Sequence, residues 1–334
     1  DWTWTRFPWM NVMVGQIKMP NSRERQLSSG AIHYPERSFP SQGITAVGRE
    51  TGVLLSGMDI LDVFDYKVMA AAGYGFNKQF QQFDDTSNLV YAGRFTLHPF
   101  GRVPFWAGDV WYSWSPLVEF SLTYLYAPKA FAMGELNGIS TFDLCQAYGA
   151  TTNPGTFATN GCLRSQDSTP ELGFTALPLG RSNINPNAIG DWKDVGFDAT
   201  LMYRGFYANV EYHNSQYDPN NGNPDLRRFP GLRTITYAVD LGYFLIPREW
   251  EILGRFQYLD INTGNVNPTG SAAFSGDNPT TNRRVLDARW WDFGTVWYLS
   301  KDHRHKLGAF GHIRDEMGGE LHNNGFSINM QLAF

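Results

Sequence analysis

Nowhere in the 334-residue chain is there an apolar run of the eighteen or more residues that a membrane-spanning helix requires. The longest mostly apolar stretch, 68–76, is interrupted by two glycines. A helical membrane protein is therefore excluded. A chain that crosses lipid without helices does so as a closed sheet, because hydrocarbon offers no partner for unpaired backbone groups. Charge is scarce too: charged residues are 18% of the chain, with 27 Lys and Arg against 32 Asp and Glu and a formal net charge of −5. No basic tract occurs, so a nucleic-acid partner is not expected. Catalytic signatures are missing. There is no G-x-S-x-G, H-E-x-x-H, paired C-x-x-C or C-x-x-C-H, and the seven histidines are scattered, so neither an enzyme nor a cofactor or metal centre is expected. An Asn/Asp-rich run at 218–225 offers oxygen ligands for Ca²⁺ but departs from the EF-hand spacing and reads equally as a turn. Cysteine is almost absent. Cys145 and Cys162 either close a local loop in an oxidising compartment or stand as two unpaired small residues. No secretory leader opens the chain, where 1–5 already reads as strand, so a targeting segment is expected upstream.

What the chain does have is glycine, 34 residues of it, and aromatic side chains at 15%. Mean hydropathy is −0.35 although charge is low, so Gly, Asn, Thr and Ser dilute the apolar content, a mixture suited to short strands and polar loops. The strongest signal is alternation with period two, repeated and punctuated by turn residues. Phe326, Ile328, Met330, Leu332 and Phe334 share one face, and Ser327, Asn329, Gln331 and Ala333 the other. Val118, Phe120, Leu122, Tyr124 and Tyr126 alternate with Glu119, Ser121, Thr123 and Leu125. The same holds for 194–203 and 234–243. In a soluble sandwich the apolar face is the inner one; in a membrane barrel the polar face is inside.

Thirteen strands are expected, at 1–5, 11–19, 49–56, 65–76, 89–98, 117–126, 192–203, 206–213, 232–244, 250–260, 286–299, 305–314 and 324–334. Short and long connections alternate between them, the rhythm of periplasmic turns and outer loops, with 127–191 the longest extracellular loop. Only 99–116 breaks the rhythm, being longer than a turn should be. Aromatic groups near strand ends, namely Trp2, Trp4, Phe7 and Trp9; Phe105, Trp106, Trp111 and Trp114; Trp290, Trp291, Trp297 and Tyr298, suggest interfacial girdles. The expected fold is all-β, a transmembrane antiparallel β-barrel forming one domain over 1–334. An odd strand count suits a single-chain bacterial barrel poorly, and an open edge at Asp1 is unsatisfied in lipid, so further strands are expected before residue 1.

The stretch 14–29, followed by Glu36-Arg37 and by 48–53, resembles the phosphate-selective porin O/P family, in which a strand enters a loop of the form G-[RQ]-x-x-x-x-x-x-E-[KR]-x-x-S-S, then E-R, then a Gly-rich returning strand. The chain matches at Gly15, Gln16, Glu24, Arg25, Ser28, Ser29, Glu36, Arg37 and Gly52. The likeness is good over 11–76 and looser over the final hairpins. It implies a barrel of sixteen strands in the outer membrane, three of them upstream of residue 1, assembled as a homotrimer among lipid and lipopolysaccharide. It also implies an inward-folded constriction loop lined by basic groups, for which 20–48 is the candidate. Phe334 resembles the C-terminal signal read by the barrel-insertion machinery. Arg25 stands where the best-known phosphate channels carry lysine, and Gly30 where they carry a second base, so phosphate is one candidate solute among anions.

An anion pore lines a narrow lumen with cations whose field replaces part of the lost hydration. On the inward faces, the bases Lys67, Arg94 and Arg255 are outnumbered by Glu119, Asp194, Asp198, Glu211, Asp240 and Glu251. Any anion preference therefore rests on the loop, with Arg23, Arg25, Arg37 and Arg49 against Glu24, Glu36 and Glu50. Arg23 and Arg25 are expected to face the pore. Arg37 and Arg49 either do the same or pair with neighbouring glutamates to pin the loop. Lys18 shares parity with Val12 and Val14 and would reach the lumen only through a bulge. The expected function is passive diffusion of small hydrophilic solutes and ions with weak to moderate anion preference. The alternative is a structural or conduit barrel that holds a partner protein in its lumen or on its outer loops.

Overall fold

The computed structural model describes residues 2–7, 9–41, 49–72, 89–131, 189–219, 232–263, 288–316 and 321–332. Cys145, Cys162 and Phe334, most of the 127–191 loop and most of the Asn/Asp-rich run at 218–225 lie outside them.

The strands are β1 (Trp2–Phe7), β2 (Met10–Lys18), β3 (Arg49–Ile60), β4 (Phe64–Ala71), β5 (Val90–Leu97), β6 (Leu117–Phe131) and β7 (Ile189–Tyr203). They continue with β8 (Phe206–Pro219), β9 (Leu232–Ile246), β10 (Trp250–Thr263), β11 (Ala288–Tyr298), β12 (His305–Glu316) and β13 (Leu321–Leu332). All thirteen belong to one antiparallel sheet in strict sequence order, each strand paired with its chain neighbours. Several strands outrun the sequence expectation: β6 continues to Phe131, β8 to Pro219 and β10 to Thr263. Their far ends, such as 214–216, are polar on both faces, so alternation fades while the ladder continues, Ser215 pairing with Asp194 and Gln216 with Lys193.

Side-chain burial follows the expected parity. Phe120, Leu122, Tyr124, Val195, Phe197, Leu241, Tyr243, Ile252 and Phe293 are exposed, whereas Glu119, Ser121, Thr123, Asp194, Asp198, Asp240 and Glu251 are buried. An exposed apolar face around a buried ionic one is the reverse of a soluble fold and is stable only where lipid meets the outside. Turns on one side are tight. Arg204 and Gly205 have φ of 48° and 80°, the left-handed pair of a two-residue hairpin whose twist matches the strands.

Two segments fold inward from this wall. The chain leaving β2 forms a short helix, α1 (Arg23–Gln26), and two single 3₁₀ turns at Ser29–Ala31 and Phe39–Ser41. From the opposite end, residues 98–116 form a strap. The strap and the β2–β3 loop meet where the Ala107 N–H donates to the Ala31 carbonyl at 2.8 Å. One buried apolar cluster, Leu27, Ile32, Val103, Ala107, Met202 and Tyr207, joins loop, strap and wall. A second, including Tyr34, Val110, Phe244, Leu253, Tyr298 and Phe310, fills the β9–β12 side. The strap accounts for the broken rhythm at 99–116. Four girdle assignments are corrected: Phe105 lies against the Arg23 and Lys67 head groups, Trp106 packs partly buried on the loop–strap cluster, Tyr298 is buried in the second cluster, and Trp290 is buried 4.3 Å from the Phe39 ring. Trp2, Trp9, Trp111, Trp114, Trp291 and Trp297 are exposed, as interfacial aromatics are.

Candidate constriction site

Helix α1 is too short to be stable alone, and the wall holds it. Its N-cap Ser22 accepts from the Arg25 N–H, while the buried Glu211 carboxylate of β8 accepts from the Ser22 hydroxyl at 2.8 Å and from the Glu24 N–H at 2.7 Å. A carboxylate at that position complements the unsatisfied N–H groups of a helix start.

Arg23 is 1% exposed and donates to Glu119 of β6 at 2.7 Å and to the Pro104 carbonyl of the strap at 2.7 Å. Arg94 of β5 makes a bidentate pair with Asp198 at 2.6 and 2.7 Å and stands 3.6 Å from Glu119. Arg255 of β10 is the hub. It donates to Asp240 at 2.6 Å, to Glu24 at 2.9 Å and to the Glu36 carbonyl at 3.0 Å, with the Tyr34 ring 4.0 Å from its guanidinium. The second oxygen of Glu24 accepts from the Ser38 N–H at 2.7 Å and from the Ser38 and Ser41 hydroxyls at 2.5 Å each. Charge-assisted bonds of this kind are the strong ones, and inside a protein they hold a loop rigidly.

Burial alone pushes the Glu24 carboxyl up, but Arg255 and the two serines outweigh it and hold the group below its usual range. A carboxyl depressed in the folded state contributes stability above its unfolded pKa and loses it as pH falls through the lower folded value. The difference in thermal stability between wild type and Glu24→Gln is therefore expected to be constant from pH 8 to about 5 and to vanish only at more acid pH. A difference that has already closed by pH 6 would contradict this account of Glu24.

The remaining wall acids are also engaged. Asp194 lies 2.7 Å from His213, and Glu251 receives the Tyr298 hydroxyl at 2.7 Å and lies 3.2 Å from His33. Several lumen residues absent from the sequence-based set join them. Lys306 of β12 donates to the Gly30 carbonyl at 3.1 Å and to the Ile32 carbonyl, Gln331 of β13 to the Gly30 carbonyl at 3.1 Å, and Gln257 receives the Phe39 N–H at 2.9 Å while bonding Asp292 at 2.7 Å. The alternation along β11, with Trp291, Phe293 and Trp297 outward, is a signal from which Asp292 could have been placed inward; the loop partners of Lys306, Gln331 and Gln257 had no signal in the sequence.

Other cations contact carbonyl and amide oxygens or one another. Lys18 donates to the Gln26 and Leu27 carbonyls at 3.1 and 2.8 Å. The β2–β3 register runs unbroken from Asn11↔Ser56 to Lys18↔Arg49, so no bulge is needed: a long side chain at the strand end bends over the loop. Lys67 donates to the Gln26 amide oxygen at 2.5 Å. Arg37 donates to the Glu24 and Leu27 carbonyls, and its side chain lies beside half-buried Arg25, where burial and that like charge lower the Arg25 pKa. Half-buried Arg49 completes this cationic group around Lys18. Among the described residues none of Lys18, Arg25, Arg49 and Lys67 has a carboxylate within ion-pair distance. Asp59, Asp65 and His98 come together beneath β3 and β4, but Arg102 already sits on Asp65 at 2.8 Å and on Asp59 at 3.2 Å.

An antiparallel wall with an apolar exterior and an ionic interior defines a transmembrane β-barrel, here with one loop folded against its inner face. Solved structures similar to this chain include outer-membrane expressed OmpT of Vibrio cholerae, at TM-score 0.46 and 9% identity over 97% of this chain and 76% of that one. A second, OmpT of Vibrio cholerae folded in vitro, described as an outer membrane protein, gives TM-score 0.43 and 10% identity over 96% of this chain and 74% of that one. No family model and no curated protein matches the chain.

Proposed function

We propose that this barrel is a bacterial outer-membrane porin related to the phosphate-selective porin O/P family, passing small hydrophilic solutes and ions with weak to moderate anion preference and working as a trimer. One observation carries the reading. The inward faces hold more acids than bases, yet Arg23, Arg94 and Arg255 engage Glu119, Asp198, Asp240 and Glu24, and Glu211 is held by the hydroxyl and N–H groups at the start of α1, while among the described residues Lys18, Arg25, Arg49 and Lys67 have no carboxylate within ion-pair distance. A narrow, low-dielectric passage bordered by unpaired cations attracts anions.

The two arginines treated alike in the sequence then separate in role. Arg25→Ala is expected to move the reversal potential under a salt gradient toward cation preference with conductance little changed. Arg23→Ala removes a strut and is expected to change conductance more than preference. An unchanged reversal potential in Arg25→Ala would refute the assignment of Arg25.

A specific observation favours a second reading. Between β5 and β12 the inward side chains are almost wholly buried against loop and strap, which suits a structural barrel whose outer loops engage a partner. Planar-bilayer conductance in KCl discriminates: a porin conducts, a sealed barrel does not.

A further inference from the structure

Within the strap, Val103 and Ala107 are buried in the cluster shared with the loop, while Phe105 between them points the other way and is 44% exposed. The Trp106 N–H donates to the Pro104 carbonyl at 3.0 Å, a tight turn that presents the ring. Its position is inside the barrel: the Arg23 guanidinium lies 5.2 Å from the ring centroid and the Lys67 ammonium 5.3 Å. A phenyl ring left in water within a polar interior gains nothing from burial and has no polar atom to satisfy.

The two cations beside it differ. Arg23 is committed to Glu119 and the Pro104 carbonyl. The Lys67 partner is the neutral Gln26 amide. The nearby acids are engaged elsewhere, Asp65 with Arg102 at 2.8 and 2.9 Å and Glu119 with Arg23 at 2.7 Å. Lys67 thus offers a compact charge on a flexible stem beside a ring that remains 44% exposed.

We propose that Phe105 and Lys67 form a subsite for aromatic carboxylates on the permeation path. This rests on the porin reading and deepens it. A solute with a carboxylate for Lys67 and a flat ring for Phe105 meets both groups, whereas a compact inorganic anion or a short aliphatic acid meets only the cation. Ring stacking adds on the order of two- to tenfold in binding.

The test uses the full chain in planar bilayers with KCl, adding benzoate, acetate or inorganic phosphate and reading the block of chloride current. Benzoate is expected to half-block at a concentration about two- to tenfold below acetate and phosphate. Phe105→Ala is expected to erase the gap between benzoate and acetate while KCl conductance persists. Phe105→Leu, which keeps an apolar group of similar bulk, is expected to do the same and covers the case in which the alanine variant does not insert. Lys67→Gln is expected to weaken benzoate and acetate equally. A conducting channel that blocks equally with benzoate and acetate overturns the subsite and leaves the porin reading standing. A benzoate advantage that survives in both Phe105 variants, or block unchanged in Lys67→Gln, also overturns it. Absence of KCl conductance in the wild type overturns the subsite and the porin reading together.

Discussion

Replacing Arg255 with Met is expected to free the β2–β3 loop while leaving the wall intact. The substitution strands two buried carboxylates, Glu24 and Asp240, that share one guanidinium, and it removes the donor to the Glu36 carbonyl. Breaking a buried ion pair by deleting one partner costs about 3–5 kcal/mol. Applied to loop docking, that shifts the docked-to-free ratio by about two to four orders of magnitude. The strand ladders of β9 and β10 do not depend on the side chain, so insertion and heat-resistant migration should persist while bilayer conductance rises and the loop becomes accessible to protease. Arg255→Lys should fall between, since one ammonium cannot span both carboxylates in the geometry of a guanidinium fork. Wild-type conductance and wild-type protease resistance in Arg255→Met would remove Arg255 from its role as anchor.

The second large effect is expected from Asp109→Ala. Its buried carboxylate accepts from the Ser113 N–H at 2.9 and 3.0 Å, from the Ser113 hydroxyl at 2.7 Å and from the Gly205 N–H at 2.7 Å, clamping the strap to the β7–β8 turn. Neighbouring Gly108, at φ 82°, comes so close to the loop that an added Cβ would lie 2.6 Å from the His33 ring nitrogen. Losing the clamp leaves buried N–H groups unsatisfied, at about 1–3 kcal/mol each. Because the Asp109 charge is 1% exposed, conductance should rise with ion preference unchanged. Asp109→Asn retains an acceptor and should be milder. A shift in reversal potential without a conductance change would be the contrary result.

Thirteen strands and their inner faces were legible because a membrane barrel writes its two solvents into alternate residues, and Glu119, Asp194 and Arg255 lie where parity put them. Partners were not legible. Arg23 and Glu119 meet across 96 residues, Glu24 and Arg255 across 231, and nothing local encodes such a match. Parity states a face and is silent on what crosses the lumen to meet it. The strap appeared only as an overlong connection, and its aromatics resembled girdle residues because Phe105 and Trp106 have the composition of an interface without its location. Lys18 was assigned a bulge because parity rules describe Cβ directions, and a lysine at a strand end is long enough to reach around them.

Among the described residues the wall pairs only sequence neighbours, whereas its filling does not. Each rung of the sheet joins strands adjacent in the chain, across connections that alternate short and long, so each needs only the next hairpin to arrive. The loop after β2 belongs to the early part of that series, yet its anchors are Arg255, Lys306 and Gln331, the last of them 301 residues beyond Gly30. It must wait, with Arg23 and Glu24 still hydrated, until the curved sheet brings β10 to β13 around to face it. Contacts of such long sequence separation lead to the expectation that loop docking follows assembly of the sheet that holds it, an order that φ-value measurements on Arg255 and Gln331 would check.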